Sequence, residues 1–134
     1  MFEHPLEERN FLFAKRVRKF CRELRIDTAN IEDIKQLVRA SASIGANYIE
    51  ANENTGAGDL KYRLKISRKE AKESIHFLGL VETFGSMELE KDRNLLIQEA
   101  NELRKILSAI ITKVSKWNFN DEFYTPLFLG FRIW

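Results

Sequence analysis

Glu73-Ser-Ile-His76 sets a carboxylate and an imidazole one helical turn apart, the spacing with which helical bundles offer ligands to a di-iron centre. Such a centre needs a second pair of the same kind, and the chain has none. Glu73 and His76 therefore read as residues at the edge of a bundle, and no metal is assigned. Glu50 and Glu53 are also three apart, but acids at that spacing are common on helices and no electrophile or metal partner accompanies them. Cys21 is the single cysteine, which excludes an intramolecular disulfide and a thiolate metal cluster and suits a reducing compartment. It falls among apolar residues at helical spacing and reads as a small core side chain rather than a reactive thiol. Gly56-Ala-Gly58 has no strand before it and no phosphate-loop lysine after it, so it reads as a linker. Nothing here assembles a nucleophile with its base, and the expectation is a protein that is no enzyme and uses no cofactor.

Two sets of cations carry more information. Lys15, Arg18, Lys19 and Arg22 recur at helical spacing, and Lys61, Lys65, Arg68 and Lys72 do the same further on. Seven basic residues face one acid between Arg9 and Arg25, and six face one acid between Lys61 and Lys72. Each stripe suits the phosphates of RNA or DNA, with salt-dependent binding and little base discrimination. The alternative is an ordinary solvated outer face, because bundle helices must carry charge somewhere. The net charge of +2, from 22 bases and 20 acids, does not decide between them. Tyr62, beside the second set, either stacks on a base or packs into the core, and core packing is the expectation.

A third cluster is Arg39-Ala-Ser-Ala-Ser-Ile-Gly-Ala-Asn-Tyr-Ile-Glu50, where small residues mix with an amide and a carboxylate. Small side chains let backbones approach closely, and a buried amide or carboxylate needs a partner. Ser43, Gly45, Ala46, Asn47 and Glu50 are therefore candidates for a subunit interface or tight helix packing. A glycine inside a helix costs about 1 kcal/mol relative to alanine, which close packing can offset.

The elements that position these residues are helical throughout. A first helix is expected from about Pro5 to Leu24, with proline in its first turn, Glu7 and Glu8 at its positive end, and Phe13, Val17, Phe20, Cys21 and Leu24 as its core stripe. A second is expected from about Ile31 to Ala51, capped by Asn30, with Ile34, Leu37, Val38, Ile44, Tyr48 and Ile49 as its large apolar residues. The run from Asn52 to Gly58 breaks it. A third runs from about Asp59 to Phe84, with Tyr62, Phe77, Leu80 and Phe84 widening its apolar surface, and Gly85-Ser86 ends it. A fourth runs from about Glu90 to Trp117, where Leu96, Ala100, Leu103, Leu107, Ile110, Val114 and Trp117 step by three and four as in a bundle seam. Residues 1–117 thus form an all-α, up-down four-helix bundle. Residues 118–134 form an aromatic C-terminal tail, expected to pack on the bundle or on a neighbouring subunit. No segment has the roughly 20 apolar residues of a membrane span, nor a signal-like core, so a cytoplasmic protein with no membrane partner is expected.

Ser43-Ile-Gly-Ala-Asn47-Tyr-Ile-Glu50 resembles the Ser-Ile-x-Ala-Asn-Ile-x-Glu-Gly signature of the four-helix-bundle proteins encoded in intervening sequences of bacterial 23S rRNA genes. Ser67–Leu80 and Glu99–Leu107 are similar to stretches of the third and fourth helices of that family, and the likeness runs from about Arg9 to Trp117. Tyr48 and Ala51 depart from the signature's isoleucine and glycine, and the tail after Trp117 has no counterpart. The resemblance implies a ring-shaped homo-oligomer, typically a pentamer, with Ser43, Asn47 and Glu50 packing near a helix junction or subunit contact. It further implies association with nucleic acid. The similar accessory variability proteins of diversity-generating retroelements imply a second possibility, an adaptor whose partner is a reverse transcriptase. The expected function is a non-enzymatic scaffold binding RNA or DNA through basic helix faces.

Overall fold

The computed structural model describes residues 1–53 and 56–116. Four helices follow one another: α1 (Pro5–Glu23), α2 (Thr28–Glu53), α3 (Ala57–Leu80) and α4 (Met87–Ser115). No strand occurs among the described residues. α1 packs on α2 and α4, and α3 packs on the same two, so α1 and α3 occupy opposite corners of the bundle. Neighbours are antiparallel: early α1 meets mid-α4 at Arg9 and Glu99, while late α1 meets early α4 around Phe20 and Asp92.

Each helix forms because its apolar residues recur on one side and must be covered by the others. Phe13, Val17, Phe20, Cys21 and Leu24 are buried as the spacing predicts, and Leu6 joins them. On α4 the buried set is Leu96, Ala100, Leu103, Leu107, Ile110, Ile111 and Val114. Burying one such leucine stabilises the fold by about 1.5–3 kcal/mol. Trp117 and the tail lie outside the described residues, as do Asn54 and Thr55 of the link between α2 and α3.

Several boundaries differ from the sequence reading. Asn30 is not the cap of α2: the helix starts at Thr28, and the Asp27 carboxylate accepts the Asn30 backbone N–H at 2.7 Å. The Asn30 side chain instead donates to the carbonyls of Arg25 and Glu82, both at 2.9 Å, and accepts the Glu82 N–H at 2.8 Å. α2 continues through Asn52 to Glu53 rather than stopping at Ala51. α3 ends at Leu80, four residues before Phe84, because Val81 is already extended at φ −60° and ψ 141°, and the left-handed Phe84 and Gly85, with φ of 53° and 79°, belong to the turn beyond it. Ser86 then caps α4, its hydroxyl accepting the Leu89 N–H at 3.2 Å, so the fourth helix begins three residues earlier than its periodicity suggests.

Burial departs from expectation at a few large side chains. Ile49, Tyr62, Leu80 and Phe84 are exposed rather than part of the core. Phe84 lies under the Arg25 guanidinium, 4.4 Å from its ring centroid.

Candidate nucleic-acid interface

On α1, Lys15, Lys19 and Arg22 are exposed, and the half-buried Arg18 donates to the Ala14 carbonyl at 3.3 Å. On α3, Lys65 and Lys72 are exposed, Lys61 is half-buried, and half-buried Arg68 reaches Ser108 Oγ on α4 at 3.4 Å. None of these eight cations makes an ion pair among the described residues. Other cations do. Arg9 grips Glu99 with two hydrogen bonds of 2.9 and 2.7 Å, and this hydrogen bonding holds its pKa above the ordinary value despite partial burial.

Arg39 spans from α2 to α3, reaching Glu70 at 3.2 Å and Glu73 at 2.8 Å. Burial pulls its pKa down, but hydrogen bonds and charge from both carboxylates outweigh that and raise it overall. Glu70 is the one acid inside the α3 basic run, and it is buried and committed to Arg39. The stripe on α3 therefore faces solvent without it. Tyr62, expected in the core, is 58% exposed one turn before Lys65, with the Arg63 guanidinium over its ring 6.0 Å from the centroid. The two stripes are not brought together in one copy, because α1 and α3 sit at opposite corners.

The small-residue run divides between two neighbours. A Cβ at Gly45 would lie 3.3 Å from the Asn10 Cβ of α1, so this glycine serves the α1–α2 contact within the chain. Half-buried Asn47 faces α3: its amide donates to the Ser43 carbonyl at 2.9 Å and its oxygen accepts from Arg63 at 3.4 Å. Ala46 and Glu50 are exposed between these two sides.

Sequence reasoning missed several polar residues of the interior, Ser67, Asn10 and Asn52 among them. Ser67 donates to the Ile44 carbonyl at 2.7 Å and ties α3 to α2. Its place in the series Leu60, Leu64, Ser67, Ala71, Ser74, Leu78 is a seam position, and that spacing is the signal that finds it. Asn10 and Asn52 are buried, and neither amide has a hydrogen-bond partner among the described residues. Nothing in their spacing separates them from exposed asparagines.

Glu73 is engaged by Arg39 and by Lys69, and His76 is exposed with its ring edge-on to Phe77 at 5.0 Å, so the pair forms part of the outer surface. Glu3, His4 and Glu7 bring possible ligand atoms within 4.8 Å of one another at the start of α1, a juxtaposition their spacing does not single out. No helix among the described residues is long and apolar enough to cross a membrane.

A family model described as 23S rRNA-intervening sequence protein matches residues 7–109. The fold is similar to a crystal structure described as a protein with unknown function from the S23 ribosomal protein family of Bacteroides thetaiotaomicron. The two share 27% identity with a TM-score of 0.68, over 78% of this chain and 96% of that one. No curated protein matches the chain.

Proposed function

This chain belongs to the 23S rRNA-intervening sequence protein family, and from that premise we propose a non-enzymatic, oligomeric scaffold that binds RNA or DNA phosphates through α1 and α3. The observation that carries the reading is the absence of ion pairs, among the described residues, at Lys15, Arg18, Lys19, Arg22, Lys61, Lys65, Arg68 and Lys72. Nearby carboxylates are drawn elsewhere, Glu70 to Arg39 and Glu99 to Arg9. Cations left without internal counter-charges release condensed counterions when phosphates replace them, which is the main source of sequence-independent affinity. Exposed Tyr62 adds a stacking surface beside Lys65.

A net charge of +2 makes one copy a weak polyanion ligand. Assembly as a homo-oligomeric ring, a pentamer in this proposal, presents several stripes to one nucleic acid and multiplies a modest affinity. The exposed strip of α2 around Ala46 and Glu50, with Ser43 and Asn47 behind it, is the proposed contact between copies. Gly45 is excluded from that contact because it is already occupied by α1.

The test is Lys15→Gln, Arg18→Gln, Lys19→Gln and Arg22→Gln together, with binding to single-stranded RNA measured against salt. Weaker binding and a shallower salt slope are expected. Unchanged affinity and slope reject α1 as the phosphate contact.

A protein-binding adaptor is the second reading, favoured by apolar side chains at the far end of the bundle. Ile26, Phe84, Met87 and Leu95 are all exposed there, Met87 at 87%. A polymerase-type partner, such as a reverse transcriptase, would cover them. Under that reading purified protein carries no nucleic acid, and Met87→Glu abolishes capture of the partner.

A further inference from the structure

Between α1 and α2 the outer surface sinks into an apolar groove of about 480 Å³. Its floor is shallow because Ala14, Ala42, Gly45 and Ala46 are small, while Phe2 and Phe11 wall one side and Ile49 the other. Phe11 and Ile49 are 41% and 47% exposed, and the Phe2 and Phe11 rings lean together with centroids 5.3 Å apart. A volume in the range of about 300–1,000 Å³ holds a drug-sized apolar ligand, and hence a few aromatic side chains.

We propose that this groove is the docking site of the chain's own C-terminal tail, residues 118–134. The described chain stops at Lys116, just past α4, at the end of the bundle where α1 begins and α2 finishes. That is the half of the molecule in which the groove lies. Eighteen residues remain (134 − 116 = 18), which reach about 60 Å when extended. Crossing from α4 over its neighbour α1 requires little more than one helix diameter, about 10–12 Å.

The chemistry of the tail matches the groove. Phe119, Phe123, Tyr124, Phe128, Phe131 and Trp134 supply rings for an apolar trench. Asp121 and Glu122 supply the carboxylates that Lys15 and Arg18, on its rim, lack among the described residues. The tether favours the chain's own tail over that of another copy, since a short flexible link gives a millimolar effective concentration.

This docking needs no nucleic acid, but it draws on Lys15 and Arg18 of the α1 stripe and covers Ala46 of the proposed contact between copies, so nucleic acid or a second copy would compete with the tail for this face, and the test reads the tail by itself. The test uses the full chain carrying Trp117→Phe, which leaves Trp134 as the sole tryptophan. Its emission is expected to be blue-shifted and poorly quenched by acrylamide, and unchanged on dilution until the protein is monomeric by light scattering. Ile49→Glu, or Phe11→Glu if the first variant loses helix content, is expected to red-shift the emission and raise quenching severalfold, with the circular dichroism of the helices preserved. Trp134 as accessible in the folded protein as in urea overturns the proposal. So does shielding that survives a folded groove variant, and shielding lost on dilution assigns the groove to a neighbour's tail instead. RNA binding measured on the same samples shows whether the scaffold reading holds independently.

Discussion

One buried amide, Asn30, fastens the α1–α2 turn to the α3–α4 turn through three side-chain hydrogen bonds. The backbone groups it serves are partly buried, and losing such a hydrogen bond costs about 0.5–1.5 kcal/mol, so Asn30→Ala is expected to lower unfolding stability by at least about that amount in urea titrations, with the slope unchanged. An effect within error would mean that water replaces the amide. Cys21 is a second residue whose environment sets its chemistry. Burial pushes its thiol up to about 11, with Arg18 pulling weakly the other way. A thiol held up in the folded state stabilises the protein fully below its unfolded pKa of about 8.5 and less as pH climbs toward the folded value. At pH 8 the native thiol is expected to react with a disulfide reagent at least about 100-fold more slowly than the unfolded one, and stability is expected to decline above pH 9. The sequence made Cys21 legible, because one apolar stripe contains it. Asn30 read as the cap of α2, and its actual role was hidden because its partner Glu82 is 52 positions away and no local pattern reveals such a contact.

At the scale of elements, periodicity located all four helices because each has a stripe to bury, while their ends were set by partners far along the chain. Arg93 donates to the Val81 carbonyl and pairs with Glu90, which also accepts from Thr83 at 2.7 Å. These bonds fix the turn in which α3 stops short of Phe84, although the apolar pattern continues through it. The left-handed pair Phe84 and Gly85 then reverses the chain. Glu90 is held below the ordinary carboxylate range by Arg93 and then Thr83, so its contribution is present at neutral pH and fades as acid titrates it. The candidate interface was partly legible for the same reason. Small residues at 41–46 announced a close approach, but whether to α1 or to another copy depends on Asn10, which the spacing does not identify. Gly45→Leu is expected to push α1 off α2, costing about 1–3 kcal/mol by thermal melting and speeding hydrogen exchange in early α1. Unchanged exchange there would show that α1 can shift without loss.

For the whole molecule, the consequence of four antiparallel neighbours is that the basic stripes point to opposite corners. A single copy cannot lay both along one nucleic acid, whereas adjacent copies of the proposed ring would present α1 of one beside α3 of the next. Distant sites without shared partners contribute additively. Replacing the four cations of α1 by glutamine is therefore expected to remove a part of the salt dependence, and replacing Lys61, Lys65, Arg68 and Lys72 to remove another. Each phosphate contact on a single strand contributes about 0.7 to the slope of log affinity against log salt, so four lost contacts flatten it by about 3. If both stripes meet the same nucleic acid, the eightfold variant loses the sum of the two changes, and its residual binding is insensitive to salt. If only one stripe is used, its fourfold variant already matches the eightfold one. The comparison also reports on assembly: dilution of the native protein below its association midpoint is expected to halve the slope or more, as each copy is left with one stripe in reach. A slope independent of protein concentration would mean that a lone bundle makes every contact, and the pooled cationic surface would then play no part in binding.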